Sequence, residues 1–252
     1  MALGIMSAMV EEIDALIEAL DPGVAHHEVG RRTYHVGTMR GAPVVLVFSR
    51  IGKVAAASTA TELISRFKIE RLVFTGVAGA LSAELAVGDV VVATSLTQHD
   101  MDASPIFPRY EVPLLGISDF PTDAAIETAL AAAATRYIAE GLAGDVTEET
   151  RTAFRMHRPA VHTGQVLSGD QFIADAATLN RLREAFPRAL CVEMEGAAVA
   201  QVCYEHDMPF GVIRTISDTA DDSAAHEFPR FLTEIASIYA HGIVHAFLAA
   251  GE

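Results

Sequence analysis

Two glutamates, Glu193 and Glu195, stand on either side of Met194 in the stretch CVEMEGAAVA. Apolar Val192 precedes them and a run of small residues follows, which is typical of a strand that enters the core and gives way to a helix. A carboxylate in such a position costs free energy unless a partner or a ligand stabilises it. We therefore expect these acids to belong to a site whose other members lie elsewhere in the chain.

Two further carboxylates, Glu12 and Asp218, also follow stretches with the composition of buried strands. Ligands of open α/β folds bind beyond the carboxyl ends of the strands, so Glu12, Glu195 and Asp218 are expected to gather at one edge. Each has a simpler explanation when taken alone: Glu12 and Glu195 would complement a helix dipole, and Asp218 would cap a turn. Together, with few Lys or Arg nearby, they indicate a site for a neutral polyol or a developing cation.

Other kinds of site are disfavoured by the motifs. The chain has no GxxxxGK[ST] loop, no GxGxxG after a strand and no GxSxG nucleophile elbow. His226 and Glu227 lack the second histidine of HExxH, and His99 and Asp100 have no further ligands at metal-binding spacing. We therefore expect neither a metal nor a cofactor.

Composition restricts the partners and the compartment. The formal net charge of −15 and the lack of a basic block in the sequence argue against nucleic acid or an anionic membrane as a partner. Cys191 and Cys203 form no CxxC pattern, which favours a reducing compartment. The N-terminus lacks a basic leader, and we find no apolar run of about 18 residues that would span a membrane. A cytoplasmic protein is expected.

Alternation of strands with helices predicts one α/β domain over residues 1–252, with a mixed, mostly parallel central sheet flanked by helices. The segment 101–122 contains four of the ten prolines and is predicted to be a long loop with a function or an interface. The predicted strands are 2–9, two within 32–49, 71–79, 87–100, 161–173, 189–194 and 209–218, and the predicted helices are 10–20, 52–67, 122–142, 177–186, 195–207 and 226–249.

Seven motifs, in this order along the chain, carry a resemblance to a known family: GIMSAMVEEIDAL, SRIGKVAAA, TGVAGAL, VGDVVVAT, SGDQFI, VEMEGAAVAQVC and VIRTISDTAD. The chain resembles the 5′-methylthioadenosine/S-adenosylhomocysteine nucleosidases of the nucleoside phosphorylase superfamily, from about residue 3 to 248. The resemblance implies the nucleoside phosphorylase fold. It also implies hydrolysis of these two nucleosides to adenine and a thioribose, as a step of methionine salvage.

The resemblance also implies a role for each residue of the site. Asp218 would protonate N7 of the departing purine, Glu12 would activate the attacking water, and Glu195 would bind the ribose hydroxyls. Arg214 would orient Asp218 or a water. Glu193 would pack behind the residues that contact the ligand. The remaining substrate-binding residues would be Met194, against the sugar, Phe172, stacked on the purine, Ile173, at the purine edge, and Met9, Ile51, Ala78, Gly79 and Ser217.

The first loop favours hydrolysis over phosphorolysis. A phosphorylase holds phosphate with cationic side chains, whereas the loop SAMVEEID carries acids and neither Arg nor Lys. Arg50 is the cation that could hold phosphate instead, but before a glycine turn it is equally expected to point outward. The alternatives that stay open are a hydrolase of aminofutalosine or futalosine, a purine nucleoside phosphorylase, and a nucleoside-binding protein without activity.

Two departures from the commonest family pattern concern TGVAGAL, which has Val77 where Ser or Thr is frequent and Ala80 where Gly is frequent. The loop after residue 100 also differs, which leaves the 5′ substituent open. The resemblance implies a homodimer in which this loop covers the 5′ end of the partner's ligand. Phe107 and Pro113 are the candidates for that wall.

Overall fold

The computed structural model describes residues 2–220 and 224–250, in which ten strands form one sheet between two groups of helices. The strands are β1 (Leu3–Ser7), β2 (Ala25–Val29), β3 (Arg32–Met39), β4 (Ala42–Phe48), β5 (Arg71–Ala80), β6 (Val90–Gln98), β7 (Asp119–Pro121), β8 (Val161–Ser168), β9 (Ala189–Glu193) and β10 (Phe210–Asp218).

The helices that cover the sheet differ widely in length. They are α1 (Asp14–Glu18), α2 (Lys53–Ser65), α3 (Ala124–Arg136), α4 (Leu142–Asp145), α5 (Glu148–Ala153), α6 (Ala176–Ala185), α7 (Gly196–Glu205), α8 (Ala224–Phe231) and α9 (Ser237–Ala249). A 3₁₀ turn at Val10–Glu12 precedes α1, and π-helical turns at Tyr137–Gly141 and Leu232–Ala236 join α3 to α4 and α8 to α9.

The expectation of a mostly parallel sheet was wrong, although the α/β class and the mixed sheet are confirmed. Among the described strands, β1–β4, β1–β5, β5–β10, β6–β8 and β8–β9 pair in parallel, and β2–β3, β3–β4, β5–β9, β6–β7 and β6–β10 pair antiparallel. Strands β10, β6, β8, β9 and β5 close into a ring, because β10 pairs with both β6 and β5.

Closure depends on the length of β5. Its first half pairs with β1, and its end, at Gly79 and Ala80, pairs with β9. A bulge between Ile216 and Asp218 lets β10 follow the same curve. Twist and bulges of this kind bend a sheet until it closes on itself.

Alternation along the strands divides the core into two layers. Leu3 and Ile5 of β1 face α1, α3 and α9, whereas Met6 faces α2 and α7. This arrangement follows from the two-residue period of a strand, and it leaves the ends of the strands free to build a site between the helices.

The predicted helix over 10–20 is divided in the structure into the 3₁₀ turn and α1. Ile13 leaves helical geometry at φ −125°, and the Glu12 side chain folds back onto the N–H groups of Ala8 and Met9. The carboxylate thereby satisfies the donors that a regular helix would leave free at this end. The segment 101–122, predicted to be a loop from its proline content, contains the short strand β7.

The C-terminal helical segment is long and apolar enough to cross a membrane by length and composition, over His226–Ala249. The helix over 226–249 was predicted from the sequence, but its match to the length and composition of a membrane span was not. Its apolar side chains have another use in the structure, since Tyr239, Ile243 and Phe247 are buried in the core with residues of α1 and α3.

Candidate active site

A cavity of about 300 Å³ opens where strands β1, β5, β8, β9 and β10 end, or just beyond them. The described residues that line it include every predicted catalytic and substrate-binding residue. They are Ala8, Met9, Glu12, Ile51, Val77, Ala78, Gly79, Gln171, Phe172, Ile173, Val192, Glu193, Met194, Glu195, Ser217, Asp218, Ala220 and Phe228. The strand ends therefore bring together four acids from three separate stretches of the sequence.

Glu12 is buried, with 2% of its surface exposed, and backbone donors hold its carboxylate. Oε2 accepts from the N–H groups of Ala8 and Met9, each at 2.8 Å, and Oε1 accepts from Val77 N at 3.1 Å. Burial raises the pKa of Glu12, although the Arg214 charge and the three N–H groups oppose that rise. A Cβ at Gly76 would lie 2.8 Å from Glu12 Oε1, so the close approach of this carboxylate requires glycine there.

Glu193 is the structural member of the glutamate pair. Its Oε2 accepts from Arg214 Nη2 at 2.8 Å, and its carboxylate also accepts from the Ser168 hydroxyl and from the N–H groups of Glu195 and Gly196. Arg214 pairs with Glu193 in the structure, and the expectation that it orients Asp218 or a water stays a prediction. A buried charge with this many partners is satisfied before any ligand binds.

Glu195 has one described donor, the N–H of Gly52, which lies 2.7 Å from Oε1. Burial and the neighbouring Glu193 charge raise the pKa of Glu195 to about 8, with a smaller contribution from Glu12. Its second carboxylate oxygen, Oε2, has no bond to the described part of the chain. Glu195 therefore has acceptor capacity left for a ligand in the cavity it lines.

Asp218 ends β10 and lies buried beside Ser217, whose hydroxyl donates to Oδ2 at 2.7 Å. Oδ1 accepts from Ala220 N at 2.8 Å. A Cβ at Gly79 would lie 2.9 Å from both Asp218 Oδ1 and Ala220 Cβ, so glycine is required here as well. Asp221, the last residue of the VIRTISDTAD motif, lies outside the described residues.

The ionisable side chains that line the cavity are all carboxylic acids. Glu12, Glu193, Glu195 and Asp218 line it, and none of its described lining residues is Lys, Arg or His. Arg50 is exposed and donates to the Arg31 carbonyl oxygen, away from the cavity. Such a site favours a reacting group that gains positive charge and repels an anionic nucleophile.

Comparison with known proteins agrees with this geometry. Residues 2–249 match the family model described as the phosphorylase superfamily. A 5′-methylthioadenosine/S-adenosylhomocysteine nucleosidase of Staphylococcus aureus (strain MRSA252) is 33% identical over 235 residues, which are 93% of each chain. The chain belongs to this nucleosidase family of the phosphorylase superfamily.

Solved structures of the family superpose on the whole chain. The Neisseria meningitidis nucleosidase in complex with methylthio-immucillin-A has a TM-score of 0.86 and 32% identity, with 99% of both chains covered. A futalosine hydrolase of Helicobacter pylori has a TM-score of 0.84 and 29% identity, covering 99% of this chain and 97% of the other.

The two departures from the family pattern leave the backbone contacts of the site in place. Val77 donates its N–H to Glu12, and its side chain packs into the core. Ala80 is buried and pairs with Cys191 where β5 meets β9. Val77 also lines the cavity, whereas Ala80 is not among its described lining residues.

Phe228 and Gln171 line the cavity but were not predicted from the sequence. Phe228 lies in α8 and meets Phe172 edge to face, with ring centroids 5.3 Å apart. Its stretch HEFPR resembles part of the HExxH metal motif. No pattern in α8 predicts which aromatic side chain faces a ligand. Gln171 lies within the quoted motif SGDQFI, where the phenylalanine alone was given a role.

Phe107 and Pro113 are absent from the described lining of this cavity. Their proposed place against a partner's ligand concerns a second chain and stays a prediction.

Proposed function

We propose that the protein hydrolyses the N-glycosidic bond of 5′-methylthioadenosine and S-adenosylhomocysteine, releasing adenine and the 5′-thioribose. The observation that carries the proposal is the set of four carboxylates, without a cation, around a cavity with an apolar wall. Breaking a glycosidic bond passes through an oxocarbenium-like transition state, which carboxylates stabilise.

Each acid has a distinct step in this proposal. Asp218 delivers a proton to N7 of the purine as the bond between C1′ and N9 breaks, so adenine leaves as a neutral molecule. Water attacks C1′ and gives its proton to Glu12, whose raised pKa makes it a stronger base. Glu195 accepts hydrogen bonds from the ribose hydroxyls, and the Met194 side chain lies against the developing cation.

Binding of the base is assigned to the apolar wall. Phe172 stacks on the purine, and the backbone of Ile173 holds its edge. Met9, Ile51 and Phe228 line the side where the 5′ substituent would lie, and Ala78, Gly79 and Ser217 complete the pocket. An aromatic face of this kind contributes about 1–3 kcal/mol per stacked base.

Phosphorolysis is disfavoured by the same charges. A phosphorylase must hold an anion near C1′ with cationic side chains, whereas the first loop supplies Glu12 and no Lys or Arg. A futalosine-type substrate is the second candidate, because a futalosine hydrolase superposes almost as well as the nucleosidases. Futalosine-type substrates and the thionucleosides differ at the 5′ end. Relative rates with these substrates therefore distinguish the two candidate functions.

A homodimer is also proposed, with the loop after β6 contributing Phe107 and Pro113 to the partner's cavity. Ile106 and Leu114 of this loop are 81% and 92% exposed, and Ile51 and Phe172 are exposed at the mouth of the cavity. Apolar surface of this kind on an acidic protein is typical of an interface. Because both cysteines are free thiols, we place the dimer in the cytoplasm.

The proposed reaction is tested by release of the purine base, which is adenine from methylthioadenosine, S-adenosylhomocysteine, adenosine and aminofutalosine and hypoxanthine from futalosine, each with and without phosphate. The proposal predicts phosphate-independent release that is fastest from the two thionucleosides. Faster release from aminofutalosine would favour the second candidate. Binding of all five without release would make the protein a nucleoside-binding protein.

A further inference from the structure

Three loops of the candidate site are joined by a ring of contacts that lies outside the cavity, which we name the Lys53–Asp100–Asp170 ring. Lys53 Nζ lies 2.6 Å from Asp100 Oδ1. The N–H of Asp170 donates to Asp100 Oδ2 at 2.9 Å, and the N–H of Lys53 donates to Asp170 Oδ1 at 2.8 Å. These three bonds close the ring, and none of its members is among the described residues that line the cavity.

Each member of the ring follows a different strand. Lys53 begins α2 after the turn that leaves β4, Asp100 lies two residues beyond β6, and Asp170 lies two residues beyond β8. Asp170 stands two residues before Phe172, which lines the cavity. The ring therefore links chain segments that follow three different strands of the sheet.

The contact that links the ring to the cavity is made by Gly52. Its N–H donates to Glu195 Oε1 at 2.7 Å, while the next N–H along the chain, that of Lys53, donates to Asp170. Two consecutive amide groups are thus directed at two different carboxylates. Gly52 has φ +99°, and a Cβ there would lie 3.1 Å from Asp170 Oδ1, so this turn requires glycine.

Charge and burial strengthen the ring. The side chains of Lys53 and Asp100 are 17% and 24% exposed, and Lys53 Nζ also donates to Gln98 Oε1 at 3.1 Å. Although burial opposes ionisation, the hydrogen bonds from Lys53 and Asp170 hold the pKa of Asp100 below its usual range. Partly buried, charge-assisted bonds of this kind are stronger than exposed ion pairs.

We propose that Asp100 is a positioning residue for the nucleoside site, which acts through Lys53 and Asp170 to fix the Gly52 N–H and thereby the orientation of Glu195 toward the ribose. This inference rests on the proposed function, in which Glu195 binds the ribose hydroxyls. It adds a residue that touches no substrate to those that determine ribose binding.

The test compares Asp100→Asn with the wild type for kcat/KM with methylthioadenosine and for the affinity of adenine alone, measured by calorimetry. Because adenine has no ribose, its Kd should stay within about twofold, whereas kcat/KM should fall roughly tenfold to a hundredfold, as expected for a lost charge-assisted bond. An unchanged kcat/KM, or an equal loss of adenine affinity, would overturn the proposal. Asp123→Asn is the matched control, since Asp123 caps α3 and lies outside both the ring and the described lining of the cavity.

The pH profile provides a readout that a general loss of structure would not move. Loss of the Gly52 donor would raise the pKa of Glu195 further, so the rise of kcat/KM with pH should move to higher pH in Asp100→Asn. Removal of the negative charge of Asp100 alone would move it to lower pH. A shift to lower pH, or no shift, would therefore contradict the role in positioning.

Two precautions keep the test decisive. If Asp100→Asn does not fold, Lys53→Met removes the ammonium group but keeps the Lys53 N–H on Asp170, and a smaller loss in the same direction is expected. If the wild type releases no adenine, the proposed function fails. The inference is then tested by calorimetry with adenosine and adenine, of which only adenosine should bind more weakly to the variant.

Discussion

Arg214 Nη2 donates to Glu193 Oε2 at 2.8 Å, and both side chains are buried. This ion pair explains why two glutamates stand so close together at the end of β9. Glu193 neutralises the arginine and receives the N–H groups at the start of α7. Glu195 is thereby left as the glutamate of the pair with acceptor capacity for a ligand.

Glu193→Gln should be strongly destabilising, because it leaves the buried charge of Arg214 without its partner. Loss of one member of a buried pair costs about 3–5 kcal/mol, which urea denaturation measures as a lower free energy of unfolding. Glu234→Gln, which breaks the exposed pair with Arg230, is the control and should cost no more than about 0.5 kcal/mol. Equal effects of the two substitutions would contradict the structural role of Glu193.

Gly76→Ala should lower kcat strongly, and its effect on the free energy of unfolding should be small by comparison. The added Cβ would lie 2.8 Å from Glu12 Oε1, so the carboxylate must move. A displacement of about 1 Å at a catalytic group costs roughly a hundredfold in rate. Gly144→Ala is a matched control, since a Cβ there has no atom within 4 Å. If both variants retained full kcat, the placement of Glu12 by its close approach to Gly76 would be refuted.

Asp218→Asn should lower kcat by about a hundredfold to ten-thousandfold, the usual contribution of a general acid. Adenine should still bind, because the amide preserves the shape of the side chain. Steady-state kinetics and calorimetry on the same preparation separate the two effects. Asp123→Asn, which removes the same charge at the start of α3 and keeps a capping side chain, should leave kcat unchanged. Near-normal turnover of Asp218→Asn would remove Asp218 from the acid role.

Glu195→Gln should raise Tm, and more at pH 8.5 than at pH 5. In the folded protein the pKa of Glu195 is raised to about 8, so the folded state holds its proton more tightly than the unfolded chain. Its stabilising contribution is complete below the unfolded pKa of about 4.3 and is lost as pH rises through the folded value. Thermal unfolding at both pH values measures the difference. A gain in Tm that does not grow with pH would show that the pKa of Glu195 is not raised in this way.

The sequence allowed prediction of the three acids because each of them follows a recognisable strand, and the family resemblance implied the other predicted residues of the lining. Glu12, Glu195 and Asp218 were expected at one edge of the sheet, and the structure places them there around one cavity. Their individual roles in the reaction remain predictions, tested by the substitutions above.

Other features depend on contacts between distant parts of the chain, which no local pattern contains. The antiparallel pairing of β10 with β6 and of β5 with β9 follows from closure of the ring, whereas a βαβ pattern predicts parallel neighbours. The pairing of Arg214 with Glu193 joins β10 to the end of β9, although these two strands are not neighbours in the sheet. Phe228 reaches the cavity through the path of α8, which its sequence does not specify.

The most direct test of the central claim is the rate of adenine release from methylthioadenosine as phosphate is raised from zero, with the sugar product followed by ³¹P NMR. Hydrolysis with water held at Glu12 predicts full activity without phosphate, a rate that does not rise with phosphate, and no sugar 1-phosphate signal. A rate that requires phosphate and yields a sugar 1-phosphate would contradict the assignment of Glu12 and make the protein a phosphorylase.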